Sequence, residues 1–308
     1  MINRLLIRIK VVQLLYAYLK KSDSDDRYYD DVELMSSMES AYKLYNYLLA
    51  LIVKTTDYRL EQLETSKRKY MPTAEERNPN MRFVNNRVAS IIRDRSGVLN
   101  YCEEQGLIND FDTELYRSLL DEIMATPVYM AYMDSTTTSL QTDKELWKEL
   151  FNTVIPNNAK LDEMLEEKDI YWNDDLSVVN SFVVKTLQRL NDEDESIKTQ
   201  AMFKSDDDRQ FARQLYSAAI NHAQEYLDMI AGTTTNWEVS RMAFMDRVIM
   251  VSAIAEIITF PEIPVKITLN EYIELAKYYS TPTSAKFING VLDRIVKNLR
   301  QEGIIFKS

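Results

Sequence analysis

Residues 263–299 read IPVKITLNEYIELAKYYSTPTSAKFINGVLDRIVKNL, and spacing alone places two amphipathic helices in them. Pro261 and Pro264 fence off the start, because proline cannot continue a helix. Thr268 stands three residues before Glu271, the spacing of a T-x-x-E capping box. This predicts a helix from that point, with Leu269, Tyr272, Ile273, Ala276 and Tyr279 along one stripe. Ser280 to Ser284 form a break around Pro282, rich in residues that cap helices. In the second helix Phe287, Ile288, Val291, Leu292, Ile295, Val296 and Leu299 fill one side of the wheel. Lys286, Asn289, Asp293, Lys297 and Arg300 fill the other. Gly290 falls in that polar face, where glycine costs about 1 kcal/mol relative to alanine and gains nothing from core packing. Either a backbone, phosphate or partner approaches closely there, or another helix of the same chain crosses.

Working outward, the 308-residue chain keeps the helical character of this stretch. It has only five glycines, Gly97, Gly106, Gly232, Gly290 and Gly303, and no two lie close enough to build a phosphate-binding loop or a dinucleotide fingerprint. The reading is all-α. One cysteine, Cys102, excludes an internal disulfide and a Cys-rich zinc site. Together with the lone His222 it leaves little for Cys/His catalysis or a metal, so neither a metal nor another cofactor is expected. The net charge is −11, so any nucleic-acid site must be a local basic patch. No apolar run approaches the roughly 18 residues that span a bilayer. The N-terminal apolar stretch is broken by Arg4, Arg8 and Lys10 and lacks a small-residue cleavage site, which predicts a cytoplasmic protein rather than a secreted or membrane one.

The wording of the opening stretch also carries a resemblance. Pro264, Lys266, Asn270-Glu271 and Ile273-Glu274-Leu275-Ala276-Lys277, followed by Lys286-Phe287-Ile288-Asn289-Gly290-Val291-Leu292-Asp293, resemble the NusB family of bacterial transcription antitermination factors. Residues 1–21 contain Arg4, Arg8, Lys10, Lys20 and Lys21 and no acid. Their arrangement Arg4, Arg8, Gln13, Leu15, Tyr16 is similar to the family's first helix, although Leu5 and Leu6 stand where the motif has further basic residues. From about 206 onward the pattern is continuous. Phe211 to Ile230 read as one helix, and Trp237 as the opening of the next, which carries Met245 to Ile249.

The resemblance implies a NusB-like helical bundle built from residues 1–21 and 200–308, with residues 22–199 as a helical insertion of unassigned role. It implies a non-enzymatic antitermination factor that binds boxA-type single-stranded RNA together with NusE, a small-subunit ribosomal protein. The complex would join elongating RNA polymerase, chiefly on ribosomal RNA operons. The RNA-binding residues would be Arg4, Arg8, Lys10, Gln13, Lys286, Phe287, Asn289 and Gly290, and Tyr16 and Asp246 would meet NusE. The amphipathic helix in residues 1–21 is expected to bury its stripe against the helices after 206, because one helix cannot do so alone. Two alternatives stand beside this reading: a helical scaffold that binds only proteins, and an accessory RNA-binding domain of an RNA-modifying system.

Between the family-like parts, residues 22–31 and 191–208 read as acidic linkers. Proline marks residues 71–80 as a loop. Residues 67–95 hold eight cations (Lys67, Arg68, Lys69, Arg77, Arg82, Arg87, Arg93, Arg95) against three carboxylates, with Tyr70, Phe83 and Asn85 interleaved. That composition suits either a solvated face or contact with RNA.

Overall fold

The computed structural model describes residues 1–21, 31–108, 112–191, 201–203, 205–233 and 242–307. In chain order the helices are α1 (Arg4–Lys20), α2 (Asp31–Lys67), α3 (Ala74–Arg77), α4 (Arg87–Arg95), α5 (Val98–Glu104), α6 (Thr113–Met124), α7 (Pro127–Asp134), α8 (Leu140–Thr153), α9 (Ala159–Lys168), α10 (Trp172–Arg189), α11 (Asp206–Asn221), α12 (Ala223–Thr233), α13 (Phe244–Thr259), α14 (Val265–Tyr279) and α15 (Ser284–Gln301). Among the described residues the only strand-like pairing is an isolated bridge between Ile2 and Phe203, so the fold is all-α. Contacts divide the chain into two units: Ile2–Met38 with Phe203–Ser308, and Glu39–Met202 with Met1. Helix α2 begins in the first and continues into the second.

In the first unit α13 is the axis. Its run from Val248 to Ile257 is buried without a gap, as expected of a helix apolar on every side. Helices α1, α11, α12, α14 and α15 all pack on it. Helix α1 lies against α11 and α13, so residues 1–21 do pack on the helices after 206. At the start of α2, Asp31 receives Arg213 of α11, at 3.1 and 3.0 Å.

The structure changes three local expectations here. Helix α14 starts at Val265, three residues before the expected cap, and Thr268 lies inside it, fully buried. Its hydroxyl donates to Glu256 Oε1 of α13 at 2.8 Å rather than capping its own helix. Phe211 to Ile230 form two helices, broken at His222. Asn221 and His222 are poor helix formers, and the break lets α12 turn its own apolar side inward. Helix α13 opens at Phe244, and Trp237 lies outside the described residues, as do most of the two acidic linkers.

The second unit is centred on aromatic residues. Tyr47 stacks on Trp172 at 5.5 Å, and the Trp172 indole N–H donates to the Ser40 carbonyl at 3.1 Å. Asn86 caps α4 through Ala89 N at 2.8 Å and accepts from the Trp147 indole at 3.1 Å. Both buried indole N–H groups thus have acceptors, which fixes the orientation of the two rings in the core. The expected loop at 71–80 contains a single helical turn, α3, closed by a capping box between Thr73 and Glu76. Cys102 is buried and its thiol is pushed up to about 12 by burial, which makes it unreactive.

Candidate nucleic-acid interface

Helix α1 runs antiparallel to α13, and this splits the expected site residues between two ends. At one end, Asn3 caps α1 by accepting from Leu6 N at 3.0 Å. Arg4 follows, its side chain 41% exposed, within 3.9 Å of Asp208 and 4.9 Å above the Phe211 ring. One turn on, Arg8 faces inward and is 3% exposed. Its guanidinium donates to both oxygens of Glu256, at 2.7 and 2.8 Å, and to Glu271 at 3.2 Å. Burial pulls the Arg8 pKa down, but the hydrogen bond and charge of Glu256 outweigh it and the net direction is up. Beneath it the Tyr272 hydroxyl, wholly buried and 3.0 Å from Ser252 Oγ, is raised well above its ordinary value by burial first and by Glu256 second.

The expectation that Arg8 and Lys10 face RNA meets a physical obstacle. Arg8 joins α1, α13 and α14 inside the bundle, and Lys10 is fully buried. Neither stands on the surface, and Arg8 is held inward by Glu256 of α13 and Glu271 of α14. Gln13 is half-buried.

At the other end, about 18 Å along α1 from Arg4 at 1.5 Å per residue, the half-buried Tyr16 meets Phe244 edge to face, centroids 4.9 Å apart at 88°. Lys20 Nζ lies 4.5 Å above the Phe244 ring and 5.6 Å from that of Tyr16. Arg247 covers the Phe244 ring at 4.9 Å. Asp246, two residues along α13 from Phe244, is buried. It accepts from Ser280 Oγ and, at 3.0 Å, from Ser284 Oγ. It therefore clasps the turn between α14 and α15 rather than lying on the surface. Lys286 and Gly290 are exposed on the α15 that begins there, Phe287 and Asn289 are half-buried, and Asn289 donates to Asp293 at 3.3 Å. Among the described residues nothing lies within 4 Å of where a Gly290 Cβ would stand. No helix of the described residues crosses at this position, so among them the crossing reading of this glycine has no support.

The first turn of α13 thus gathers Tyr16, Lys20, Phe244 and Arg247 and hangs the start of α15 through Asp246. Sequence reading had not singled out Phe244, Lys20 or Arg247 as site residues. The signal was present in the helical spacing of Tyr16 to Lys20 and of Phe244 to Arg247, which puts each pair on one face. Among the described residues no group of three His, Cys, Asp or Glu side chains is placed to hold a metal, and no helix is long and apolar enough to cross a membrane.

Comparison with known proteins adds to this geometry. The NusB family model matches residues 176–297. The match begins within α10, earlier than the residue near 206 read from the motifs, and does not include α1. Over 95 residues the chain is 40% identical to the transcription antitermination protein NusB of Geobacter sulfurreducens, covering 31% of this chain and 69% of that one. The chain belongs to the NusB family. The NusB proteins of Chloroherpeton thalassium and Salinibacter ruber are each 38% identical to it over 100 residues, 32% of this chain. The chain spans 47% and 62% of the length of those two relatives. No solved structure matches it. Helices α11 to α14 and most of α15 fall inside the NusB match, so Phe244, Asp246, Arg247, Lys286 and Gly290 all belong to the family part.

Proposed function

We propose that this NusB-family protein is a transcription antitermination factor that acts by binding, without chemistry of its own. It holds a boxA-type single-stranded RNA together with NusE and joins the elongating RNA polymerase, chiefly on ribosomal RNA operons. Residues 1–21 and 200–308 form the RNA-binding part. On this reading Lys286, assisted by Arg4, neutralises phosphates. Phe287 stacks a base, Asn289 hydrogen-bonds one, and Gly290 lets the strand approach α15 closely. Tyr16 meets NusE with Phe244 beside it. Arg8, Lys10 and Asp246 serve by holding these helices in place.

One observation carries this reading. The candidate partner residue Tyr16 and the candidate RNA residues of α15 are tied to the same first turn of α13, one through Phe244 and the other through Asp246. Joint binding of an RNA and a protein needs that arrangement. Titrating labelled boxA-type RNA with the full chain, alone and with NusE, tests it. Binding that tightens with NusE is expected. Absence of RNA binding under both conditions overturns the reading, and NusE binding without RNA binding would favour the protein-only scaffold.

A further inference from the structure

We propose that the tip formed by residues 67–80, which lies outside the family match, is a second contact surface for single-stranded RNA. This extends the RNA reading above and is tested separately from it. At the end of α2 the chain turns through Arg68, Lys69, Tyr70 and Met71 into the one-turn helix α3, which ends with Arg77. Tyr70 is 99% exposed and Met71 81%. Arg68, Lys69 and Arg77 are exposed around them.

The tip is held in shape on both sides. Lys69 pairs with Glu76, whose carboxylate also accepts from Thr73 N at 2.8 Å. Beyond α3, Asn80 Nδ2 donates to the Met133 carbonyl at 3.2 Å, and Arg82 donates to the carbonyls of Ser135, at 2.7 Å, and Thr137 while lying 4.4 Å over the Tyr132 ring. A fully exposed tyrosine on a braced loop gains nothing for the fold, so its ring is available to a ligand.

Three further cations of the basic segment are engaged elsewhere. Lys67 pairs with Glu64 and Arg93 with Asp57, while Arg82 braces the loop. What the tip offers is therefore an aromatic face flanked by cations, in a protein of net charge −11. A nucleic-acid strand uses both features, since bases stack on exposed rings and phosphates take the cations. A protein partner fits less well, because two apolar side chains fall far short of the roughly 1,000 Å² a specific interface needs.

The test uses the full chain and a sequence-neutral oligouridylate as ligand. Tyr70→Ala is expected to weaken binding about 5- to 150-fold, the range for one stacked base, and Tyr70→Phe to retain it. Arg68→Ala with Arg77→Ala is expected to lower the slope of log affinity against log salt by about 1.4, at about 0.7 per phosphate on a single strand. These residues are exposed, so melting temperatures should not move. Unchanged affinity and slope in folded variants overturn the proposal. So does a loss confined to protein binding, which would make the tip a protein-docking point. Lys286→Ala, measured on boxA-type RNA, separates the two readings. If it has no effect while the tip variants still lose oligouridylate, the tip stands and the α15 site falls.

Discussion

Arg8 carries a full charge into the interior and meets two carboxylates there. Removing its side chain leaves Glu256 buried without a counter-charge, so Arg8→Ala should lose about 3–5 kcal/mol of stability in urea denaturation. A loss of under about 1 kcal/mol, the worth of an exposed pair, would show that Arg8 reaches solvent and is available to RNA. Gly290 sits at the other extreme. Alanine in that open position should gain up to about 1 kcal/mol, and the melt should rise accordingly. RNA or NusE binding should survive Gly290→Ala but fail with Gly290→Leu, which still folds. A large stability loss with alanine would contradict the open face. Neither residue's surroundings were legible in the sequence. Spacing put Arg4 and Arg8 on one side of a helix, but Glu256 is 248 residues away, and no local pattern announces a partner at that distance.

Elements were easier to read than residues, and α15 shows why. Its wheel separates apolar from polar cleanly, and Ile288, Val291, Leu292, Ile295, Val296 and Leu299 are all buried as the spacing required. The start of α14 was misplaced because Thr268 and Glu271 satisfy the capping pattern, while in the fold Thr268 and Glu256 bond across two helices. Helices α4 and α7 are short, and their starts are set by single side chains, the Asn86 and Thr126 caps, rather than by a long apolar stripe. Asp246 matters at this scale, since it joins α13 to the beginning of α15 through two serine hydroxyls. Hydrogen bonds to a charged group contribute about 1.5–3 kcal/mol, so Asp246→Ala should destabilise by about 2–3 kcal/mol in thermal melts. A carboxylate that served only to contact NusE would leave the melt unchanged and weaken NusE binding alone, which is the result that would restore a surface role.

For the whole molecule, the acidic residues 22–31 suggested a break between the family part and the remainder, yet the contacts place the division inside α2, between Met38 and Glu39. Composition could not reveal this, because the first turns of α2 belong with α11 through the Asp31–Arg213 pair. Two units with separate cores need not unfold together, and the tryptophans allow this to be measured. Trp147 and Trp172 both lie in the Glu39–Met202 unit and are almost fully buried. Replacing Trp237 with phenylalanine confines tryptophan fluorescence to that unit, while circular dichroism follows helices in both. Arg8→Ala in that background removes a bond made only within the other unit. The circular-dichroism curve should then split, with an early phase at lower urea, while the fluorescence midpoint stays where it was. If fluorescence and circular dichroism move together by the same amount, the two cores unfold as one, and the loss of Arg8 is transmitted through the whole chain rather than confined to the helices around α13.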